Sequence, residues 1–557
     1  MKIQRFISRI YGKNFSVKVF ILLLLAVAAS VTQFWSAYCL GKITDSVTVG
    51  KAAVLSGTAE IVAIVMVNFA AAFLVDFSAR KMSNRLENVL RKRAAEKICK
   101  ADYKELSGIR EADIFAISVS DVEGIAEWFS FLTAIVQAPV KIFIVFSAVI
   151  RIHWLLFICC LVLYPLVMLP SLLLSGKMYE LNLKEKEASA DCTHFFRESL
   201  SFMVVLKSFG MEKFFIRKNQ DHLKALERAK RKREKRERLI KALPRCAGSF
   251  INPFLFTVAA WSILKGEVTI GQMISMIFYI DIAGESINQL TGIGKQYQNV
   301  KACAARLAAL LELPGEKGGR SVPVLEETDV VFDVRDVSFS YGKENVLQGI
   351  SFLIRRGEKV AILGKSGSGK STLFKLLNGL YAQEAGRILF LGHDMVRWPM
   401  ENLRKNISVV TQESFIFQDT ILNNVRIARP EASIEEVKAA CCRALADDFI
   451  ERLPEGYDTM LGDVVVSLSN GQMQRINLAR AFLKNADVWL FDEPTSALDA
   501  GLRDEIMADI VNGTGDKTVL CIVHEPKLAL EFPVCITIRD GRVSSVVRRK
   551  KEEEGHV

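Results

Sequence analysis

The sequence predicts two parts of different class: an α-helical polytopic membrane domain over residues 1–312 and an α/β domain with a mostly parallel sheet over residues 330–557, joined by a linker at 313–329. Three observations predict this. Half of the 557 residues are hydrophobic, mean hydropathy is +0.22 and only 24% are charged, too apolar for a disordered chain and too oily for an ordinary soluble one. The apolar residues of the first half fall in runs long enough to cross a bilayer. The second half then changes to short apolar runs alternating with helical patterns. The length corresponds to three or four domains at roughly 150 residues each, which excludes a single small binding module. The 11 cysteines show no repeated spacing. They read as small buried residues in a reducing compartment rather than as a disulfide scaffold or zinc module.

Val19–Leu40 supplies 22 residues without a charge, enough for a bilayer core of roughly 30 Å. It is too long for a signal peptide, lacks the usual small-residue cleavage site and is followed by further apolar runs. Those runs are Ile61–Val75 with its flanks, Trp128–Ile150, Trp154–Gly176, Cys246–Leu264 and Val268 to about Leu290, so six membrane helices are expected. Lys2, Arg5, Arg9, Lys13 and Lys18 precede the first and place the N-terminus on the cytoplasmic side, where basic residues accumulate. The links Arg151–His153 and Lys265–Glu267 are short and face outward. The links Asp76–Glu127 and Lys177–Arg245 are long, charged and helix-like, and extend into the cytoplasm.

The net charge of +11 admits nucleic acid, anionic lipid or cytoplasmic flanks as its cause. The densest basic run, Lys224–Lys241, holds ten Lys or Arg against three Glu. No aromatics interleave it for stacking on bases, and it leads directly into the fifth apolar run. It reads as a solvated helical stalk, with no nucleic-acid partner. Within the spans, Asp281 and Glu285 lie four apart on one helix face, and Lys141 interrupts the third run after Pro139. Charges there are costly. These acids either line a polar, substrate-facing path, or pair with Lys141, or sit in a hydrated cytoplasmic part of the helix.

Glu312–Asp329 is rich in Pro, Gly and charge and has no periodicity, which marks the boundary. Beyond it, an apolar strand pattern at 359–363 runs into Gly364-Lys365-Ser366-Gly367-Ser368-Gly369-Lys370-Ser371-Thr372 and then a helix pattern. This is G-x-x-x-x-G-K-S in its required strand–loop–helix context. Glycines let backbone N–H groups close around phosphates, Lys370 brings positive charge to the β and γ phosphates, and the Ser371 hydroxyl can ligate Mg²⁺. The expected fold is that of a P-loop NTPase. Val488–Glu493 is an apolar run of buried-strand type ending in two carboxylates. Asp492 suits a Mg²⁺ ligand and Glu493 a general base for water.

Between these motifs stands Leu468-Ser469-Asn470-Gly471-Gln472. Ser469 with Gln472 forms a possible capping box, and the helix end offers positive dipole and free N–H groups to an anion. Together these residues resemble the ATP-binding cassette (ABC) transporters of the half-transporter exporter type, over nearly the whole chain. The resemblance implies that the signature helix faces the γ-phosphate of ATP held on a partner subunit, so that one cassette makes half of each site. It further implies that Tyr341 stacks on adenine, that Gln412 senses Mg²⁺ or the lytic water and contacts the membrane domain, that Asp499 of Ser496-Ala497-Leu498-Asp499 links the two sites, and that His524 hydrogen-bonds the γ-phosphate. Gly266–Gly271 and Ala304–Leu307 also resemble the family's pattern, and segments near Tyr103–Leu106 and Ser208–Phe215 lie where coupling helices would press on the cassettes.

Three residues depart from that pattern. Asn470 replaces the signature's first Gly, Val465 stands where a Gly usually precedes the signature, and Glu525 follows His524 where Arg is common. Asn tolerates left-handed backbone better than most residues, but its Cβ can crowd a phosphate. The resemblance leaves a homodimer and a heterodimer with asymmetric ATP sites both open. The expected activity is ATP-driven export of a peptide, drug-like molecule or lipid across the cytoplasmic membrane. Lipid flipping, import on the same fold, ATP-gated conduction and a cytosolic ATPase are the rivals, the last opposed by six spans in the same chain. The start of the chain shows no peptidase-like extension, so leader cleavage is not indicated.

Overall fold

The computed structural model describes residues 3–549 apart from 13, 48–49, 156, 159–161, 163–175, 317, 320, 324–327, 343 and 463–466. The chain divides into two compact units. One comprises Met1–Ala94 and Phe115–Ala308, the other Ala95–Ile114 and Ala309–Val557. A segment of twenty residues thus belongs to the second unit, although it lies between two segments of the first.

The first unit is helical. It opens with α1 (Ile3–Tyr11), α2 (Phe15–Ser46) and α3 (Lys51–Lys100). After α4 (Tyr103–Ser107) of the second unit come α5 (Glu111–Ala116), a π-helical turn at Ile117–Asp121, α6 (Val122–Ala126) and α7 (Trp128–Ile152). Among the described residues, three helices are long and apolar enough to cross a membrane: Phe15–Ser46, Lys51–Lys100 and the composite Glu111–Ile152. The expected fourth span lies largely outside the described residues. The fifth and sixth runs fall at the C-terminal end of the helix Glu212–Leu264 and in the first half of Ile270–Leu311. At 1.5 Å per residue the 50-residue α3 is about 75 Å long, more than twice a bilayer core. Its apolar stretch exposes Val62, Val65, Met66, Phe69 and Phe73, as a lipid-facing surface would.

Small residues let these helices approach. A Cβ on Gly271 would lie 2.0 Å from the Gly41 carbonyl oxygen, and one on Gly41 would lie 2.3 Å from the Gly271 oxygen. Asp45 accepts hydrogen bonds from the Gly271 N–H at 2.7 Å and the Thr269 hydroxyl at 2.6 Å, so a carboxylate sits at the N-terminal turn of Ile270–Leu311. Phe34 stacks on the buried Tyr279 at 4.6 Å. Towards the other end of that helix Arg306 makes two hydrogen bonds of 2.6 Å to Asp121 in the π-helical turn. The helices Met178–Ser201 and Glu212–Leu264 run together, joined by the Arg233–Glu185 ion pair. In the basic run Arg231, Arg233 and Arg238 each pair with a Glu four residues away, the pattern of a solvated helix. Asp281 and Glu285 are exposed, and among the described residues neither forms an ion pair with Lys141.

The second unit is α/β. Its antiparallel sheet has the order β2-β1-β4-β5, with β1 Val330–Tyr341, β2 Glu344–Arg355, β4 Ala385–Phe390 and β5 His393–Asp394. Its larger sheet has the order β10-β9-β3-β8-β7-β6, with β3 Lys359–Leu363, β6 Ile407–Val410, β7 Val488–Asp492, β8 Thr518–Ile522, β9 Val534–Arg539 and β10 Arg542–Arg548. Strands β9, β3, β8, β7 and β6 are parallel and β10 is antiparallel. Every residue of β7 and β8 is buried, which explains their unbroken apolar composition: helices or sheet cover both faces. One core, around Phe332, Phe339, Leu373, Trp398 and Leu490, joins the two sheets. The other, around Ile476, Phe482, Trp489, Phe491 and Met507, lies under the helices. The segment after the helix Ile270–Leu311 is not free. Ala101 bridges Gly315, Arg404 binds Glu316 through two hydrogen bonds, and Gly319 passes so close to Arg397 that a Cβ would lie 1.7 Å from its carbonyl oxygen.

Candidate functional site

Strand register sets the site. Val410 stands opposite Phe491, Asp492 opposite Ile522, and Ile362 opposite Ile522. Counting on from these pairs, the residues just past the strands, Gly364, Gln412, Glu493 and His524, all leave the same carboxyl edge of the sheet, where ligands bind in open α/β folds.

The loop after β3 keeps its shape through glycine. Gly367 and Gly369 have φ of 79° and 96°, in the left-handed region that favours glycine. A Cβ on Gly364 would lie 2.5 Å from the Ile538 oxygen, and one on Gly369 2.5 Å from a Leu347 methyl. The helix Lys370–Leu377 starts directly after Gly369, so Lys370, Ser371 and Thr372 form its first turn. Lys370 is buried and donates to the Gly364 and Lys365 carbonyls at 2.8 and 2.9 Å. Burial holds its pKa below the usual lysine value, against the pull of the Glu493 and Asp492 charges. Lys365 and Ser366 are exposed on the outer side of the loop, while Ser368 is buried.

Asp492 closes β7, 8% exposed. Burial raises its pKa above the ordinary carboxylate value, and the hydrogen bond from the Ser371 hydroxyl is the main opposing influence. One Asp492 carboxylate oxygen and the Ser368 hydroxyl are fully buried with no hydrogen-bond partner among the described residues. A buried carboxylate oxygen without a donor is what a bound cation would satisfy, and a buried hydroxyl without a partner can donate to a phosphate oxygen. Glu493 follows at φ 53°, an unusual conformation for a residue other than glycine, and its carboxylate meets His524 Nε2.

The remaining expected residues fall around this centre. Gln412 is exposed just beyond β6. Tyr341 ends β1, 39% exposed, with its hydroxyl 3.5 Å from that of Thr372. Ser469 and Gln472 form the expected capping box at the start of the helix Asn470–Lys484: the Ser469 hydroxyl accepts from the Gln472 N–H and the Gln472 side chain accepts from the Ser469 N–H. Asn470 does not occupy a positive-φ position, so the backbone there does not require glycine. Gly471 does need to be small, since a Cβ would lie 2.9 Å from the Ala497 oxygen. Asp499 caps the helix Ala500–Asn512 by accepting from the Leu502 N–H. Glu525 pairs with Arg503 of that helix at 3.2 Å. Val465 lies outside the described residues.

The structure therefore brings together Lys370, Ser371, Asp492, Glu493 and His524. It does not bring the signature to them: among the described residues no side chain of Ser469, Asn470 or Gln472 bonds the phosphate loop. Sequence reasoning missed Gln474. Buried on the signature helix, it donates to the Glu493 carbonyl at 2.9 Å and the Ser496 hydroxyl at 3.2 Å, and accepts from the Ala497 N–H at 3.0 Å. A glutamine on the apolar face of that helix was the only signal.

Two family models match the chain: the ABC transporter transmembrane region over residues 19–285 and the ABC transporter over residues 347–496. The chain belongs to the ABC transporters. It carries membrane region and cassette in one polypeptide, the half-transporter arrangement of exporters, and binds ATP through the cassette. An ATP-dependent lipid A-core flippase of Aromatoleum aromaticum is 30% identical over 73% of this chain, which spans about two thirds (68%) of that relative. A putative multidrug export ATP-binding/permease protein of Bacillus subtilis, YgaD, is 26% identical over 96% of this chain and 94% of its own. The fold matches that of a bacterial Atm1-family ABC exporter with ATP bound, at a TM-score of 0.75 and 24% identity over 96% of this chain and 94% of the other. ATP-driven export is the activity of such ABC transporters, and this one is a membrane ATPase built for it.

Proposed function

We propose that this ABC transporter is a six-span exporter of the cytoplasmic membrane, working as a dimer in which each ATP is held between the phosphate loop of one chain and the signature of the other. The convergence of Lys370, Ser371, Asp492, Glu493 and His524 on one sheet edge, with a buried Asp492 oxygen and the buried Ser368 hydroxyl unpaired there among the described residues, carries this reading. The N-terminus and cassette lie on the cytoplasmic side, with residues 1–312 as membrane domain, 313–329 as linker and 330–557 as cassette.

In this scheme Tyr341 seats the adenine, the N–H groups of Gly364–Thr372 wrap the phosphates, and Lys370 carries charge to them. Ser371, Asp492 and Gln412 would hold Mg²⁺, which would supply positive charge to neutralise the phosphates. Glu493 takes a proton from the attacking water, and His524, already on its carboxylate, orients it and bonds the γ-phosphate. Ser469, Asn470, Gly471 and Gln472 present a helix N-terminus to the partner's nucleotide, and Asp499 passes the state of one site to the other. Because the closed dimer alone completes both sites, ATP favours closure, and closure turns the membrane domain outward. The cargo is a peptide, drug-like molecule or lipid, and the exposed Asp281 and Glu285 favour a cationic or amphipathic peptide among these. Asn470 favours a second reading, pairing with a related chain whose signature completes the more active site.

The test is Mg²⁺-ATP turnover by the chain purified alone into lipid discs. Glu493→Gln should retain ATP and lose turnover by about 100-fold or more, the scale of a lost general base. Turnover that vanishes in the variant supports a self-sufficient homodimer. An intact, ATP-binding protein that turns nothing over points to a missing partner, and a fully active variant overturns the assignment of the base.

A further inference from the structure

Three tyrosines from distant parts of the sequence form one chain of rings within the second unit. Tyr341 ends β1 and packs edge-on against Tyr381, with centroids 5.5 Å apart and planes at 86°. Tyr381 in turn packs edge-on against Tyr103 of α4, again at 5.5 Å and at 70°. Phe339 backs both Tyr341 and Tyr381 at 5.0 and 5.2 Å. Tyr381 is 7% exposed, whereas Tyr341 and Tyr103 at the two ends are 39% and 38% exposed. The middle ring is fixed by packing, and the outer rings each keep a free face.

Polar contacts run alongside. Glu384 accepts the Ser340 hydroxyl at 2.7 Å and the Lys104 ammonium at 3.5 Å, and Lys104 also sits 5.5 Å over the Phe339 ring. Asp102 caps α4 by accepting from the Lys104 N–H. Tyr381 follows the helix Lys370–Leu377, whose first turn carries Lys370 and Ser371, and its N–H returns to the Lys375 carbonyl. One short helix therefore holds the phosphate-facing residues at one end and the middle ring at the other. The chain on either side of Ala95–Ile114 continues into the first unit.

We propose that Tyr381 is a positioning residue that couples the base seat at Tyr341 to α4, so that a purine on Tyr341 and the placement of Tyr103 stabilise each other. The inference rests on the reading of Tyr341 as the adenine seat. When a base stacks on the free face of Tyr341, that ring loses rotational freedom. Its edge contact fixes Tyr381, and Tyr381 presents a settled face to Tyr103. The reciprocal effect is required by linkage: whatever orders Tyr103 tightens the base seat. Aromatic pairs of this geometry are worth about 0.5–1.5 kcal/mol each, a factor of roughly 2–12 in an equilibrium constant. The ring contacts carry the coupling, not the Tyr381 hydroxyl.

The probes are ATP and inorganic tripolyphosphate, both bound to the full-length protein in lipid discs. Tripolyphosphate reports the phosphate loop without a base, so a cassette that is merely damaged loses both affinities together. Tyr103→Ala, at an exposed ring, is expected to weaken ATP about 3- to 10-fold and leave tripolyphosphate within twofold. In a Tyr381→Leu background the same change should shift ATP by less than twofold, while a Tyr381→Phe background should keep the full effect. An ATP-to-tripolyphosphate ratio unmoved by Tyr103→Ala, or a Tyr103→Ala effect that survives Tyr381→Leu, overturns the proposal. Should Tyr381→Leu fail to fold, Tyr103→Ala and Tyr381→Phe still decide it. Tyr341→Ala separates the underlying reading: if it leaves the ATP-to-tripolyphosphate ratio unchanged, the base seat itself is misplaced.

Discussion

Asp492 is held at a cost in the nucleotide-free cassette. It is buried, one of its oxygens lacks a partner, and burial sets its pKa above the ordinary carboxylate value. A raised folded-state pKa penalises the charged form. The penalty is absent below the unfolded value of about 3.9, grows as pH rises through the higher folded value and is constant above it. Nucleotide-free Asp492→Asn should therefore melt at a higher temperature than wild type at pH 7–8, with the gap closing towards pH 4. If Asp492 holds Mg²⁺ as proposed, Mg²⁺-ATP should then stabilise the wild type strongly and the variant little, since the variant would lack a carboxylate oxygen for the metal. Thermal unfolding across pH with and without nucleotide reads both effects, and a wild type that is the more stable without nucleotide at pH 7 contradicts the argument. The residues of this site differ in how readable they were. Lys370, Ser371 and Asp492 belong to contiguous motifs whose chemistry is local. The φ of 53° at Glu493 and the grip of Gln474 on Glu493 and Ala497 depend on contacts about twenty residues apart, and no local pattern carries them.

At the scale of elements, hydropathy made α2, α3 and α7 legible because a bilayer demands long apolar runs, and the buried strands β7 and β8 were legible for the same reason in a protein core. What hydropathy could not supply was which helix faces which. Gly41 and Gly271 look like unremarkable glycines in apolar sequence, yet each lies where a Cβ would overlap the other's backbone oxygen. Nor could hydropathy show that Ala95–Ile114 belongs with the cassette unit; only the family resemblance, which put a coupling helix near Tyr103–Leu106, pointed there. The glycine pair yields a contrast that ordinary helix propensity does not predict. Gly→Ala within a helix normally stabilises by about 0.5–1 kcal/mol. Gly292→Ala, with nothing within 4 Å of the new methyl, should follow that rule. Gly271→Ala should instead destabilise by about 1–3 kcal/mol through overpacking. Thermal unfolding in detergent separates the two, and equal shifts for both variants would remove the close approach as their cause.

At the scale of the whole molecule, the feature that matters is that, among the described residues, no side chain of Ser469, Asn470 or Gln472 bonds the phosphate loop of the same chain. Ser469 caps its own helix through Gln472, and Gly471 lies against the Ala497 backbone of its own chain. Ser469 and Asn470 are exposed at that helix start, and in the proposed dimer they would receive the phosphate held by the partner. This predicts complementation between two inactive chains. Lys370→Ala spoils the phosphate loop but keeps the signature, and Ser469→Arg spoils the signature but keeps the phosphate loop. Each variant alone has two sites with one broken half apiece. A mixed dimer pairs both broken halves in one site and leaves the other site fully wild type. Mixing equal amounts of the two inactive chains before reconstitution makes half of the dimers mixed, each with one of its two sites intact, so ATP turnover should reappear at roughly a quarter of the wild-type level. Turnover that stays at the level of the separate variants, in mixtures shown by differential tags to contain mixed dimers, would mean that each chain completes its own site and that the signature has another task.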